Sequence, residues 1–518
     1  MTYDVHHTRV LIIGGGLVGL CASLFLTQHG VPSVLAERRL HTSPQPKARR
    51  ISIRTMELFR QFGIDGAVGK AAAALADFQG MSAGPTLALA RPLPFRPPGG
   101  AANWADCSPV TACLCAQDAL EPVLRELADS RGGDLRFGTE MLDFAPDADG
   151  VTATLRGADG SLTQVRADYL IAADGAHSQV RDQLGIPRSG HGILNRLVNV
   201  YVRADLADLV RGREFNLCQI EDPRAPGVFA SINGTDRWIF GTAPCPGRTT
   251  AGWARTVSTA IGVPGIPVEV LSVMEWESGM FVADRFSQDR MFLAGDAAHV
   301  MPPYAALGAN TGIQDAHNLA WKLALVLAGA AGPGLLDSYH SERHPAGWFV
   351  AEQSSIRSGN LRQMQDSGVD GRPLADPLAL TFGCQYTSGA VIGDGSTMAV
   401  DHLDLRGQPG TRLPHRWLAD QQRSTLDLVA DQMTLLTGPA GTAWGEAAAA
   451  AGVEVRQVDL TGGDWERSVG IGAGGALLVR PDQVIAWRCR GPAAEARAEL
   501  ADVLRRLLGR WAARSLGR

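Results

Sequence analysis

Three glycines spaced Gly14-x-Gly16-x-x-Gly19, with an acid at Glu37 about twenty residues on, are the first residues whose pattern implies chemistry. Gly14 permits a tight turn. Gly16 lets a pyrophosphate approach the backbone. Gly19 lets the next helix pack on the preceding strand. The apolar run Val10 to Ile13 reads as that strand, and Leu17 and Val18 open a helix that runs to about Gly30. The start of such a helix offers unpaired N–H groups and positive dipole to phosphates. A second strand, Val31 to Ala36, ends at Glu37 and Arg38, where a carboxylate can accept a ribose hydroxyl.

This fingerprint serves NAD and FAD alike. Two later motifs separate them. Asp174-Gly175-Ala176-His177-Ser178-Gln179-Val180-Arg181 and Gly295-Asp296-Ala297-Ala298-His299 each follow an apolar run that reads as a buried strand. Ligands of open α/β sheets bind at such strand ends. Asp296 is placed to accept from a ribityl hydroxyl, which FAD has and NAD lacks.

The elements that must position these residues follow from periodicity. Arg54 to Phe62 and Gln117 to Asp129 read as helices, and Val151 to Arg156 with Leu162 to Arg166 as a hairpin. About Ile186 to Phe286 is β-rich. A helix is expected from about Gly312 to Gly329, capped by Thr311 with Gln314, and more helix to about Gln365. The last 120 or so residues read as a separate α/β module. A length of 518 residues exceeds one core and implies several domains. The net charge of -5 offers no basic field for nucleic acid. The eight cysteines are scattered without a CxxC pair, so buried thiols in a reducing cytoplasm are expected, with Cys113 and Cys115 on one face of a strand. No apolar run approaches the length of a membrane span, and no metal ligand set is apparent. A cytoplasmic protein is expected.

With these motifs in order, followed by GANTGIQDAHNLAWKLA and by Leu336-Asp337-Ser338-Tyr339 to Glu342-Arg343, the chain resembles the class A FAD-dependent aromatic monooxygenases. That family has the 4-hydroxybenzoate hydroxylase-like fold, and the phenol and aromatic polyketide hydroxylase branch is the nearer part. The resemblance implies an α/β fold: a Rossmann-like FAD-binding domain of the GR2 type at 1–187 and 286–398, and an inserted β-rich substrate domain at 188–285 plus about 78–108. A thioredoxin-like C-terminal domain without CxxC would occupy 400–518. It implies FAD contacts from Lys47, Gln117, Arg125, Asp174, Gly175, Arg181, Pro303, Gly308, Ala309 and Asn310, with Arg49, Arg50, Pro303 and Tyr304 near the flavin ring. Tyr304-Ala305-Ala306-Leu307 stands where Gly-Gly or Gly-Ala is common. His299 and His317 read as structural residues.

The reaction implied is hydroxylation of a phenolic or fused-ring polyketide through a C4a-hydroperoxyflavin, with NADPH or NADH as transient reductant and O2 as co-substrate. Asp174 and Arg181 lie in the motif the family links to both FAD and NAD(P)H. Baeyer–Villiger insertion or epoxidation is an alternative within the class, and a non-catalytic flavin-binding scaffold one outside it. No catalytic base is named. Phe229, Trp238, Phe240, Trp276 and Phe281 are the candidates for the substrate pocket. The chain is expected to act as a monomer or homodimer on a small aromatic molecule.

Overall fold

The computed structural model describes residues 5–93, 104–358, 368–369, 372–383, 385–398, 403–458 and 464–509. Cys384, residues 94–103 of the expected substrate region, and 359–365 of the expected helix to Gln365 lie outside them. The described helix Asp337–Arg357 ends before that point.

In the first sheet Asp134–Phe137, Ser33–Glu37, Val5–Ile13, Leu162–Ala172 and Met291–Leu293 lie side by side in that order, all parallel, and Ser287–Gln288 adds antiparallel beyond Met291–Leu293. Val10, Leu11 and Ile12 are fully buried, as a strand covered on both faces requires. The hairpin strand and the buried strand expected separately are one strand, Leu162–Ala172. Its first half pairs antiparallel with Val151–Arg156 while Gln164 to Ala172 pair parallel with Val5–Ile13. No breaker separates the two halves, so the backbone stays extended.

Two helices, Leu17–Gln28 and Leu307–Leu327, pack on each other against this sheet. The second starts a turn earlier than Gly312, and the expected Thr311–Gln314 cap does not form. Thr311 is buried inside the helix and its carbonyl accepts from Arg343. The entry is fixed instead by Asn310, whose amide donates to the carbonyls of Ala306 and Arg50.

The second sheet runs His299–Val300, Glu269–Ala283, Arg188–Arg203, Arg237–Thr242, Gly227–Ser231, Leu217–Ile220, Met81–Gly84 and Arg91–Pro92. One face packs on the helix Thr250–Ile261, with Val198, Val200, Val202 and Cys218 against Trp253, Val257 and Ile261. Side chains alternate along each strand, so Asn199, Tyr201 and Ser272 look the other way. That face turns towards the first sheet: Gln45 donates to Ser272 at 3.2 Å, and Tyr201 packs on Ala116.

The third sheet has the order Glu454–Gln457, Thr434–Thr437, Ala476–Val479, Ile485–Cys489. The first pair is parallel and the others antiparallel, which is the thioredoxin strand order. Cys113 and Cys115 do not share a strand: only Cys113 lies in the two-residue strand Cys113–Leu114.

His317 sits edge-on to Phe25 and Phe62, with ring centres 5.1 and 5.4 Å away. Burial pushes its pKa down to about 3, against the pull of Asp482. Between that value and the ordinary 6.5 the unfolded chain binds a proton that the folded chain does not, so stability falls as pH falls through this window. His317→Leu is expected to lessen the loss between pH 6.5 and 5 by about 1.5 kcal/mol. Urea unfolding at the two pH values measures it; an unchanged loss refutes it.

Candidate active site

The ends of the three central strands meet at one cleft. Gly14 has φ +108°, and a Cβ there would lie 2.3 Å from the Ala173 carbonyl oxygen. A Cβ on Gly19 would lie 1.9 Å from the Gly14 oxygen. Gly16 differs: a Cβ would meet only a Glu121 oxygen, at 3.6 Å, so its backbone faces open space. No side chain caps the helix that starts at Leu17. Its first N–H groups are free for an anion. Leu17 is buried, and Val18 fills the space left by the absent side chains of Gly295 and Gly312, so both contribute through backbone and packing.

Glu37 ends its strand half-buried, accepting from the N–H groups of Gly15 at 2.6 Å and Arg39 at 2.9 Å. Arg38 is exposed. Gln117 accepts from the Ala48 N–H at 3.3 Å and donates to Glu121 at 2.6 Å. Glu121, which also accepts from the Ser43 N–H, escaped the sequence reading. The i,i+4 spacing from Gln117 was the signal that could have found it. Burial raises its pKa, with Glu37 adding repulsion.

Asp174 follows the middle strand. One oxygen accepts from the Val180 N–H at 3.2 Å; the other is buried with no partner among the described residues. Burial raises its pKa. Gly175 takes φ +86°. Asp296 follows the third strand. Its side chain is accessible to solvent yet ringed by protein at longer range, which places it in a cleft. Its pKa is raised by desolvation, opposed by His299 and Lys47. It has no hydrogen bond to the described residues.

Three basic residues expected at the cofactor have protein partners of their own. The buried Arg181 donates to the carbonyls of Ala176 at 3.3 Å and Ala297 at 3.2 Å, and to Asp182. It ties the two aspartate motifs together. Arg49 donates to the Ser231 carbonyl at 2.7 Å and to Asn216 at 2.8 Å, clasping the second sheet to the first domain. Burial pushes its pKa down to about 10. Arg125 stacks 3.8 Å over Phe137, in a groove walled by His41, Thr42 and Pro122.

The loop over the cleft carries Pro303, exposed, and Tyr304, half-buried under Arg357. Ala305 and Ala306 have φ +49° and +53°, left-handed backbone that costs a residue with a Cβ roughly 1–2 kcal/mol. Ala305→Gly and Ala306→Gly are each expected to raise stability by about 0.5–1 kcal/mol, because relief of strain exceeds the added entropy of the unfolded chain. Shifts in the thermal midpoint report it; a fall in both variants refutes it. Gly308 and Ala309, partly exposed, form the first turn of the helix, whose start no side chain caps. The Asn310 side chain, which also accepts from the Ser52 N–H and the Thr55 hydroxyl, is occupied by protein on both ends.

Asp315 was also missed. It accepts from the Gly295 N–H at 3.1 Å, from His299 at 2.7 Å and from Arg343 at 2.7 Å. Burial alone would raise its pKa; His299 and Arg343 reverse that and hold it below the usual range. His299 is therefore a structural donor. Among the candidate pocket aromatics, Phe229, Trp238 and Phe240 are fully buried on the helix-covered face of the second sheet and cannot line a cleft. Trp276, opposite Leu197, lies on the other face. Phe281 packs under Arg188, 4.7 Å from its ring centre.

Residues 7–354 match the family model described as an FAD binding domain, and 406–510 that of the aromatic-ring hydroxylase C-terminal region. The chain is 41% identical to a tetracenomycin B2 monooxygenase-dioxygenase of Streptomyces olivaceus, over 97% of this chain and 98% of that one. The chain belongs to the FAD-binding aromatic-ring hydroxylases. The hydroxylase is also 38% identical to a 4-methyl-5-nitrocatechol 5-monooxygenase from a Burkholderia species, over 97% of each chain. It matches the crystal structure of aklavinone-11 hydroxylase in complex with FAD and aklavinone with a TM-score of 0.87 and 34% identity, covering 98% of this chain and all of that one. It is thus a flavoprotein monooxygenase. FAD fits the residues present: an open glycine turn, an Asp174 oxygen and an Asp296 carboxylate without hydrogen bonds to the described residues, and two uncapped helix starts. No helix among the described residues is long and apolar enough to cross a membrane.

Proposed function

We propose that this hydroxylase puts one atom of O2 onto an electron-rich ring of a fused-ring phenolic polyketide, with NADH or NADPH as reductant. Support comes from the tetracenomycin and aklavinone relatives. The observation that carries the reading is Asp296, an acid with no hydrogen bond to the described residues, set in the cleft near Lys47 and His299. Bound FAD would accept hydride from the nicotinamide and, with O2, supply an electrophilic oxygen.

The chain's residues do the rest. The Gly16 turn would take the pyrophosphate, Glu37 a ribose hydroxyl, and Asp174 and Asp296 hydroxyls of the cofactor. The start of the Leu307 helix would face the anionic edge of the reduced ring. The Arg49 clasp keeps the second sheet over the cleft, which excludes water. Arg50, beside Tyr304 and Cys113 and with a guanidinium that has no hydrogen-bonded partner among the described residues, would favour a phenolate, the ring form most reactive to an electrophile. The domain division at 1–187 with 286–398, 188–285 and 400–518 belongs to this reading.

The test is NAD(P)H oxidation with and without a hydroxylated naphthacenequinone, under labelled O2. Stimulated oxidation with label retained in a new hydroxyl group is expected. Absence of both stimulation and label overturns the reading, and label in a lactone or epoxide replaces hydroxylation by the alternative.

A further inference from the structure

The open face of the second sheet carries a cross-strand row: Met274, Asn199, Gly241, Val228, Gln219 and Ala83, paired in that order. The next row, with Ser272, Tyr201 and Ile239, is closed by Gln45 and Ala116 of the first domain. The Met274–Gln219 part of the first row stays partly exposed, while Val198, Phe240, Phe229 and Cys218, pointing the other way, are buried. At its centre Gly241 leaves the sheet bare. A Cβ there would meet only Asn199 Oδ1 at 3.5 Å and the Val228 oxygen at 3.8 Å, ordinary contacts, so the strand itself does not require glycine. Neither Asn199 nor Gln219 has a side-chain hydrogen bond among the described residues, and the Gln219 Oε1 atom is buried without a partner. A buried amide oxygen left unsatisfied is costly and points to a missing donor.

We infer that this row seats the flat face of the substrate, with Gly241 as the contact surface and Asn199 and Gln219 as specificity-determining amides at its two ends. This rests on the hydroxylase reading above and narrows its substrate. The two amides stand three inter-strand spacings apart, about 14 Å. A single ring cannot reach both. A linear polycycle with oxygen substituents at both ends can, giving quinone carbonyls to the amide N–H groups and, once the Gln219 amide turns its covered oxygen toward the open row, a phenol O–H to that oxygen. A side chain at 241 would lift such a plane off the sheet.

The test titrates FAD-loaded wild type, Gly241→Val and Gln219→Leu with a hydroxylated naphthacenequinone and with 4-methylcatechol, following the visible flavin spectrum. Both variants are expected to keep the wild-type FAD content and melting temperature, and to bind the tetracycle at least about tenfold more weakly. Gln219→Leu should bind the catechol within about twofold of wild type. Equal tetracycle binding by all three proteins overturns the seat and leaves the hydroxylase reading standing. A wild type whose flavin responds to neither probe, with no stimulated NAD(P)H oxidation, removes that reading and the seat with it.

Discussion

Glu342→Ala is expected to lower folding stability by about 3–5 kcal/mol, the cost of leaving buried charges without their partner. The carboxylate accepts from Lys322 at 2.8 Å, from both terminal nitrogens of Arg480 at 2.7 and 2.9 Å, from Asn318 at 2.8 Å and from the Ala390 N–H at 2.8 Å. Burial alone would raise its pKa, but Arg480 and Lys322 hold it below the usual range. Lys322, pushed down to about 8 by burial even with Glu342 beside it, loses the one acid it is hydrogen-bonded to among the described residues. Arg480 keeps Asp482 and the Ala390 carbonyl. Because Arg480 lies on the thioredoxin-like module and Glu342 on the FAD-binding region, the join between them weakens with the fold. Glu342→Gln, which keeps the shape, should lose less. The midpoint of urea unfolding reads the effect, and a midpoint equal to wild type contradicts it.

Gly16→Val should abolish tight FAD binding while leaving a folded protein. A Cβ at this position meets nothing closer than 3.6 Å, so the turn accepts it, whereas Gly14 and Gly19 would clash with backbone. The added branches fill the space where phosphates must approach the N–H groups of the helix start. Losing two or three such charge-assisted bonds, at roughly 1.5–3 kcal/mol each, weakens binding by at least about a hundredfold. Circular dichroism should match wild type while the flavin is lost on gel filtration. Retained stoichiometric flavin would show that the phosphates lie elsewhere.

Much of the cleft was legible in the sequence because its requirements are local. A left-handed turn needs Gly14, a close helix needs Gly19, and a strand buried on both faces needs an unbroken apolar run. The missed residues act over distance. Asp315 meets Arg343 from 28 positions away, and Glu342 meets Arg480 from 138. No periodicity records such pairs. Arg49 and Arg181 look like anion binders in a sequence, but folding brought buried carbonyls to them first, and a guanidinium satisfies those as readily as a phosphate. Phe229, Trp238 and Phe240 were misplaced because period two says that alternate residues share a face without saying which face is covered. The apolar stripe of Trp253, Val257 and Ile261 on the next helix decided that. The helix start at Leu307 was hidden because two alanines hold the left-handed backbone where glycine would have announced it.

FAD titration of the cofactor-stripped protein and of Asp296→Ala weighs the whole picture most directly. Wild type should take up about one FAD per chain and show bands near roughly 370 and 450 nm. The variant should fold alike and bind about ten- to a hundredfold more weakly, as the loss of one hydrogen bond to a charged group implies. A folded wild type that takes up no flavin, or an Asp296→Ala protein with undiminished affinity, would contradict the account.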